Sequence, residues 1–320
     1  MRGRLILKSC SGDTQSDDLE SVSNLKGYGR TMKATTRFRQ LLSEPGIIVA
    51  PGAYDCVTAR IIEQASFPAV YMTGAGTSVA RLGYPDLGMV TMTEMVASAI
   101  ALVGAVDVPV IADADTGYGG VLNVRRTVRQ YERTGVAAIH LEDQQFPKRC
   151  GHLDDKKVVS TEDMVQKIQA AADARTDDDF TIIVRTDSIA VTGWDDAMHR
   201  CDEYVKAGAD ALFVEALRTP EEVERAGRDL DIPLLFNFVE SGKSPLISAS
   251  ELERFGFKIV IYPASALLSV THVVEQVMAQ LKEKGTTAHL MDSMVSLQDC
   301  FEVMGLSGML AEDAQFAIHA

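Results

Sequence analysis

The sequence predicts a single (β/α)8 TIM barrel, and three observations agree on this fold class. Between residues 46 and 262, eight short apolar segments rich in β-branched residues alternate with amphipathic segments. Each short segment is apolar through its middle, which is typical of parallel strands covered on both faces. No strand leads into the Gly-x-Gly-x-x-Gly pattern of a dinucleotide-binding sheet, so a closed barrel is favoured over an open sheet.

The predicted strands are, in chain order, Gly46–Pro51, Ala69–Thr73, Pro109–Asp115, Ala137–Asp143, Phe180–Asp187, Ala211–Glu215, Ile232–Asn237 and Lys258–Tyr262. Amphipathic helical patterns follow most of them; Val124, Val128 and Tyr131, for example, share one helical face. After the eighth strand, helices are predicted over residues 265–284 and 291–304, although a barrel needs only one there. The surplus helix is available to a neighbouring subunit, so we expect an oligomer.

The two ends of the chain differ from this pattern. Residues 1–31 are polar and aperiodic, lack the apolar block of a signal peptide, and carry acidic residues that oppose a transit peptide. We interpret residues 1–31 as a mobile N-terminal extension, 32–305 as the barrel with its C-terminal helices, and 306–320 as a C-terminal tail.

Composition and net charge limit the kinds of molecule that the protein is expected to bind. The net charge of −14 argues against nucleic-acid binding, because phosphates would be repelled over most of the surface. No apolar run is long enough to cross a membrane. The five cysteines are an odd number without paired spacing, which indicates reduced thiols and a cytoplasmic protein. An anionic small-molecule partner would need a local cluster of cations or a metal ion.

Charged residues close several of the predicted strands. Asp113 and Asp115 end the third strand, and Glu142 ends the fourth; the other polar strand ends are His140, Asp143, Arg185, Asp187, Glu215 and Asn237. Residues i and i+2 of a strand face the same side, and barrel enzymes assemble their active sites at this end of the strands. The sequence therefore predicts one site built from several strands.

The crowded carboxylates of this site predict a bound cation, because adjacent acids repel unless they are neutralised. Oxygen ligands from Asp113, Asp115 and Glu142 suit Mg²⁺, or Mn²⁺, with waters completing the shell. Zinc held by Cys150 and His152 is the alternative, but this pair lacks further ligands at the usual spacing.

A reactive thiol is predicted on the loop that follows the fourth strand, in the run Lys148-Arg149-Cys150-Gly151-His152. Neighbouring cations lower the pKa of a thiol and make proton exchange near neutral pH feasible. Gly151 allows close approach of the backbone to a ligand. The other cysteines lack such neighbours, and Cys201 lies on the apolar face of a helix.

These motifs resemble those of the isocitrate lyase / phosphoenolpyruvate mutase superfamily, in the form found in methylisocitrate lyases and their close relatives. The resemblance covers roughly residues 36–305. The matching runs are Lys148-Arg-Cys-Gly-His, Asp113-Ala-Asp-Thr-Gly-Tyr-Gly, Leu141-Glu-Asp-Gln, Arg185-Thr-Asp and Tyr84-Pro-Asp-Leu-Gly.

The resemblance implies a barrel whose last helix is swapped between two subunits, assembled as a homotetramer of two helix-swapped dimers. It implies that Asp86 joins the three acids named above around Mg²⁺. It also implies that the substrate carboxylates are bound by Tyr71, Thr73, Gly74, Arg185 and Asn237, with threonine at position 73 where serine is common. We further expect Lys148, Gly151 and Glu215 to contact the substrate.

The activity implied is cleavage of a small 2-hydroxy carboxylic acid by reverse aldol chemistry. Cys150 is expected to protonate the leaving carbanion, with Arg185 and His152 neutralising its charge; Glu142 and Tyr71 are both candidates for the base. The leading substrate is 2-methylisocitrate, which gives pyruvate and succinate. A 2,3-dimethylmalate lyase and an oxaloacetate acetylhydrolase are the alternatives, followed by a phosphonopyruvate-type mutase or hydrolase and by a barrel that only binds a metabolite.

Overall fold

The computed structural model describes residues 32–151 and 153–316 and confirms the predicted barrel. Eight parallel strands close in sequence order, with β1 hydrogen-bonded to β8. The strands are β1 Ile48–Ala53, β2 Val70–Met72, β3 Val110–Asp113, β4 Ala138–Glu142, β5 Thr181–Thr186, β6 Ala211–Val214, β7 Leu234–Asn237 and β8 Ile259–Tyr262. Their positions agree with those predicted from the apolar runs.

Helices precede, separate and follow the strands. They are α1 Ala34–Ser43, α2 Cys56–Gln64, α3 Gly74–Thr77, α4 Met92–Ala105, α5 Val121–Thr134, α6 Thr161–Ala174, α7 Trp194–Ala207, α8 Pro220–Asp229, α9 Ala249–Arg254, α10 Ser265–Lys284, α11 Leu297–Val303 and α12 Leu306–Phe316. Several begin at a side-chain cap that satisfies a free backbone N–H: the Ser160 hydroxyl accepts from Asp163 N in α6, and Thr91 forms a capping box with Glu94 in α4.

The strands divide the buried side chains into two apolar clusters. Alternate residues of a strand face opposite sides of the sheet. Ile182 and Val184 accordingly pack outward against the helices, whereas Ile183 packs inward. The inward cluster also contains Ile111, Leu235 and Ile259, together with Phe38 and Leu41 from α1. The residues that continue this inward series at the carboxyl ends of the strands form the site described below.

The C-terminal region differs in part from the prediction. Helix α10 forms where expected, but the continuous helix predicted over residues 291–304 is wrong. A 3₁₀ turn spans Ala288–Ser293, the chain is extended at Met294, and α11 starts only after Ser296, whose hydroxyl accepts a hydrogen bond from Asp299 N at 3.0 Å. An N-cap serine starts a new helix, and the apolar pattern alone did not show this break.

The apolar side chains of α10 are exposed to solvent in a single chain. None of the residues of α10 is buried, and Leu268, Val273 and Met278 are exposed. Exposed apolar patches of this size usually mark an interaction surface. In the described residues, no helix has the combination of length and apolar character that a membrane span requires.

Candidate active site

The polar strand ends surround one cavity of about 100 Å³. Of the predicted site residues, the structure places Tyr71, Thr73, Gly74, Asp86, Asp113, Lys148, Cys150, Gly151, Arg185 and Asn237 in its lining. Asp115, Glu142 and Glu215 are buried and contact lining residues from behind. The predicted residue His152 lies outside the described residues, as does the extension 1–31.

Their arrangement follows from strand parity. The inward-facing series that begins with Ile183 continues to Arg185, and the series that begins with Leu235 continues to Asn237. The same two-residue step leads from Ile111 to Asp113 on β3. The sequence thus changes from apolar to polar on one face of each strand, and this places the polar groups in a layer above the apolar interior.

Lys148 lies among the acids that were predicted to hold a metal. Its Nζ is 2.6 Å from Asp86 Oδ1 and 2.7 Å from Asp115 Oδ1. Burial alone would lower the pKa of Lys148, but Asp115 and Asp86 raise this pKa well above its usual value. Burial raises the pKa of Asp115 to about 6, and Lys148 opposes that rise. The ammonium therefore supplies part of the neutralisation that the sequence analysis assigned to a cation.

Asp113 is held by the backbone around it. Its Oδ1 accepts from Asp115 N at 2.8 Å, and its carbonyl accepts from the Tyr131 hydroxyl at 2.8 Å. A Cβ at Gly74 would lie 2.1 Å from Asp113 Oδ2, so only glycine lets the start of α3 approach this carboxylate. Gly74 thereby keeps backbone of α3 beside the acid cluster.

Tyr71 and His140 form a buried neutral pair. The Tyr71 hydroxyl lies 2.8 Å from His140 Nε2, and the two rings stack with centroids 5.8 Å apart. Burial, assisted by the Arg185 charge, lowers the pKa of His140 to about 3. Burial and Asp113 raise the pKa of Tyr71 well above 10. At neutral pH the imidazole is therefore uncharged and Tyr71 remains a phenol.

Arg185 is fixed by three acids. Asp187 accepts from its Nε at 2.8 Å and from its Nη2 at 3.0 Å. Glu142 Oε2 lies 3.3 Å from its Nη1, and Glu215 Oε2 lies 3.5 Å from its Nη2. Its guanidinium also stacks over the Phe213 ring at 4.9 Å. Burial would raise the pKa of Asp187, but Arg185 and then Lys156 lower it to about 2. The fork geometry holds Arg185 in one orientation at the cavity wall.

The loop that carries Cys150 packs closely against Arg185. A Cβ at Gly151 would lie 2.4 Å from Arg185 Nη2 and 2.7 Å from Glu215 Oε2. Cys150 is half-buried in the cavity lining, and its N–H donates to the Asp86 carbonyl at 3.2 Å. Gln144 holds the other side of the loop, since its side-chain amide bonds both N–H and carbonyl of Arg149. Cys150 is thereby placed between the lysine–acid cluster and the arginine.

The acid cluster fits a Mg²⁺ ion that is bound by a few carboxylates and completes its coordination with water. Within the described part of the chain, no group of three or more His, Cys, Asp or Glu residues is arranged to hold a metal by itself. However, Glu142 Oε1 is buried without a hydrogen-bond partner among the described residues, beside the buried carboxylates of Asp113 and Asp115. Mg²⁺ keeps several waters and prefers oxygen, so one or two carboxylates suffice. The zinc alternative depends on His152 and stays a prediction.

Sequence reasoning missed the apolar side of the cavity. The lining also contains Phe213, Val239, Ile261, Pro263, Ala264 and Leu267. Strand parity could have found Phe213 and Ile261, because both lie on the inward face two residues from a predicted or observed strand end. Leu267 comes from the first turn of α10, and no pattern in the sequence connects that turn with the cavity.

Comparisons with known proteins identify the family of the chain. The phosphoenolpyruvate phosphomutase family model matches residues 38–282. A 2,3-dimethylmalate lyase from Eubacterium barkeri is 46% identical over 286 residues, 89% of this chain and 99% of the relative. A 2-methylisocitrate lyase from Halalkalibacterium halodurans is 41% identical over 281 residues, 88% of this chain and 93% of the relative.

Solved structures extend the match. Oxaloacetate acetylhydrolase with the inhibitor 3,3-difluorooxalacetate superposes with a TM-score of 0.86 and 36% identity, covering 90% of this chain and 99% of that chain. A phosphonopyruvate hydrolase complex with oxalate and Mg²⁺ gives a TM-score of 0.82 and 30% identity, covering 89% and 99%.

Fold and site together define a barrel enzyme of the lyase class. The chain belongs to the phosphoenolpyruvate phosphomutase family, in the superfamily that also includes the isocitrate lyases. The resemblance drawn from its motifs is confirmed.

Proposed function

We propose that the chain is a Mg²⁺-dependent carbon–carbon lyase that cleaves a small 2-hydroxy di- or tricarboxylate by reverse aldol chemistry. The observation that carries the proposal is the position of Cys150. The half-buried thiol lies in the lining of a cavity that it shares with Lys148, Asp113 and Arg185. That arrangement supports a proton donor beside groups that bind charged oxygens.

Substrate binding falls to groups that already point into the cavity. Arg185 and the Asn237 amide neutralise or donate to one carboxylate, and the backbone N–H groups at the start of α3, near Gly74, bind another. The Thr73 hydroxyl is the N-cap of α3 and accepts from Gly76 N at 3.2 Å, so its role is to hold that backbone in place. Gly151 brings the loop backbone against the substrate, and Glu215 fixes Asn237 through a 2.9 Å hydrogen bond.

In the reaction, a base removes the proton of the C2 hydroxyl and the C2–C3 bond breaks. The hydroxyl carbon becomes the carbonyl of an α-keto acid, and the bonding electrons pass to C3 as a carboxylate-stabilised carbanion. Cys150 delivers its proton to that carbon, and Arg185 balances the negative charge meanwhile. Bound Mg²⁺ would lower the pKa of the hydroxyl and stabilise the new keto acid. Asp113, Asp115, Glu142 and Asp86 would hold the ion, mostly through waters.

Two groups remain candidates for the base. Tyr71 lines the cavity, but it is a phenol at neutral pH and its partner His140 is a poor proton acceptor there. Glu142 lies behind the lining, and burial raises its pKa well above the usual value, although Arg185 opposes this. A carboxyl group acts as a base only in its ionised form, which burial opposes and Arg185 favours. Glu142 and Tyr71 therefore both stay candidates for the base, and Tyr71 as a phenol can also donate a hydrogen bond.

The apolar wall favours a substrate with alkyl substituents. Val239, Ile261, Pro263, Ala264 and Leu267 line the same cavity as the cations Lys148 and Arg185. A dialkylmalate places two carboxylates on the polar side and its methyl groups on this wall. We therefore rank 2,3-dimethylmalate, which gives pyruvate and propionate, before 2-methylisocitrate, which gives pyruvate and succinate. The 46% and 41% identities to the two lyases support the same order.

The remaining proposals concern other substrates and assembly. Oxaloacetate is the third candidate acid, since the solved acetylhydrolase shares the fold. Phosphonopyruvate ranks below it because a phosphorus transfer has no evident need for Cys150. The uncovered apolar face of α10 supports a swapped helix between subunits and a homotetramer, and the free cysteines of the described residues support a cytoplasmic protein.

The test is a turnover panel with these four acids, measured by release of keto acid or, for oxaloacetate, of oxalate. We expect activity with dimethylmalate or methylisocitrate that EDTA abolishes and Mg²⁺ restores. Cys150→Ser should lower kcat by about 10²–10⁴, the range for a positioned proton donor. Cys56→Ser, a half-buried thiol that bonds the Ala101 carbonyl instead, is the matched control. Undiminished turnover in Cys150→Ser or in EDTA would refute the proposal.

A further inference from the structure

Lys156 lies at the end of the loop that carries Cys150 and contributes nothing to the cavity lining. Its side chain is nevertheless 2% exposed, whereas Lys157 beside it is exposed. Long charged side chains are seldom buried unless they are paired. The burial of one lysine of an adjacent pair points to a specific task for that ammonium group.

The Lys156 ammonium connects the backbone of the Cys150 loop with a carboxylate that follows β5. It donates to the Gly151 carbonyl at 2.6 Å and to Asp187 Oδ1 at 2.7 Å. The same Asp187 oxygen accepts from Arg185 Nη2 at 3.0 Å. One buried carboxylate oxygen is therefore shared by the cation of the loop and by the cation of β5.

The position of Gly151 makes this connection sensitive to the state of the loop. Its Cα is so close to Arg185 and Glu215 that no side chain fits between them. The contact between Lys156 and the Gly151 carbonyl accompanies this packing of the loop against Arg185. Separation of Gly151 from Lys156 would leave the buried ammonium with Asp187, and the loss of one hydrogen bond to a buried charge would favour the loop position seen here.

We infer that Lys156 is a positioning residue that holds the Cys150 loop closed over the cavity and couples its closure to the orientation of Arg185. It acts through Gly151 on one side and through Asp187 on the other, and it touches no substrate. A second lysine, Lys243, reaches the same loop through Asp154 Oδ1 at 2.5 Å, but that aspartate side chain is 87% exposed. Water competes for the Lys243 contact far more than for the Lys156 contact.

The test uses the full chain with Lys156→Met, a substitution of similar length without charge, and Lys157→Met as the matched control. An arginine-specific protease reports on the loop because Arg149 is exposed beside Cys150. In ligand-free protein we expect cleavage after Arg149 to be about 10-fold faster in Lys156→Met than in wild type, with Lys157→Met unchanged. Mass spectrometry identifies the site of cleavage. This measurement does not depend on the proposed function.

A second measurement rests on the proposed function. Mg²⁺ with oxalate, the ligand of the solved hydrolase complex, should protect the loop of wild type and of Lys157→Met but not that of Lys156→Met. Turnover of the accepted acid should fall about 10²-fold in kcat, as a misplaced catalytic group predicts. If oxalate and all candidate acids fail with wild type, the proposed function fails while the ligand-free result still decides the role of Lys156.

Equal cleavage rates in Lys156→Met and Lys157→Met would overturn the inference. Lys156→Gln keeps a donor toward Gly151 and serves if the methionine variant does not fold; partial protection of its loop is the expected result. Failure of Lys156→Gln to fold where Lys157→Gln folds would also overturn the inference, because it would show that Lys156 stabilises the barrel as a whole.

Discussion

The barrel interior has a lower layer of apolar side chains and an upper layer of charged and polar side chains, and the same strands supply both layers. In the lower layer, inward-facing residues such as Ile111, Ile183 and Leu235 are completely buried and apolar. Two residues further along those strands, Asp113, Arg185 and Asn237 are also buried, yet they are charged or polar. A two-residue step along a strand therefore separates apolar groups that stabilise this barrel from the polar groups of the candidate active site.

The charges of the upper layer are paired with opposite charges, but burying them costs solvation free energy. Lys148 is paired with Asp86 and Asp115, and Arg185 with Asp187 and Glu142. Removing charges from water costs about as much as such pairs return, so buried pairs add little net stability. The stability of the barrel therefore comes mainly from its two apolar clusters, one inside the barrel and one between the strands and the helices. The polar layer can be altered with less effect on folding if both partners of a buried ion pair are replaced together.

Substitutions on β7 test this division most directly. Leu235→Ala should lower the free energy of unfolding by about 3 kcal/mol, within the 2–5 kcal/mol range for buried leucine, because it leaves a cavity in the lower layer. Below its melting temperature the variant should keep kcat within about 2-fold of wild type. Urea unfolding and turnover of the same preparation measure both quantities.

The matched substitution lies two residues further on. Asn237→Ala should lower kcat/KM by about 10-fold or more through loss of an amide donor, with a change in unfolding free energy of about 1 kcal/mol. Two results would contradict the distinction between the layers. One is a large loss of stability with intact activity in Asn237→Ala, and the other is a large loss of activity with intact stability in Leu235→Ala.

Gly151→Ala tests the contact between the Cys150 loop and the upper layer. The added methyl group would contact Arg185 Nη2 and Glu215 Oε2, so the loop must shift and Cys150 with it. We expect kcat to fall about 100-fold, which equals about 2.7 kcal/mol, with little change in melting temperature.

The control for that variant is the same substitution at Gly104, in the last turn of α4, where a Cβ meets no atom within 4 Å. Gly104→Ala should raise the unfolding free energy by about 0.5–1 kcal/mol, because alanine favours the helix, and leave kcat unchanged. Full activity in Gly151→Ala would show that the loop does not need its contact with Arg185.

The two layers also explain what the sequence could predict. Strand positions and inward parity follow from apolar runs and two-residue steps, so Asp113, Arg185 and Asn237 could be placed at one end of the barrel. The partner of each charge could not be predicted, because the loop that brings Lys148 to the acids and Lys156 to Asp187 has no periodic pattern. The break before α11 was missed for a related reason: the Ser296 cap is a local signal inside a continuous apolar pattern.

His140 gives the smallest effect and lies at the boundary of the two layers. It stacks on Tyr71 and meets the Phe213 ring edge-on with centroids 5.7 Å apart. Because burial and Arg185 lower its pKa to about 3, the folded protein keeps the imidazole neutral at pH values where the unfolded chain, with a histidine pKa near 6.5, binds a proton. Its stabilising contribution is complete above pH 6.5 and is lost progressively as the pH falls toward 3.

Between pH 7.5 and 5.5 this linkage should lower the free energy of unfolding by about 1.4 kcal/mol. His140→Gln lacks the ionisable group, so the difference in stability between wild type and variant should shrink by that amount on acidification. His199→Gln, at an exposed histidine of α7, should follow wild type at both pH values. Urea midpoints at the two pH values measure the effect. An unchanged difference would mean that the polar layer admits a proton at His140, and the sharp boundary between the layers would be lost at this strand.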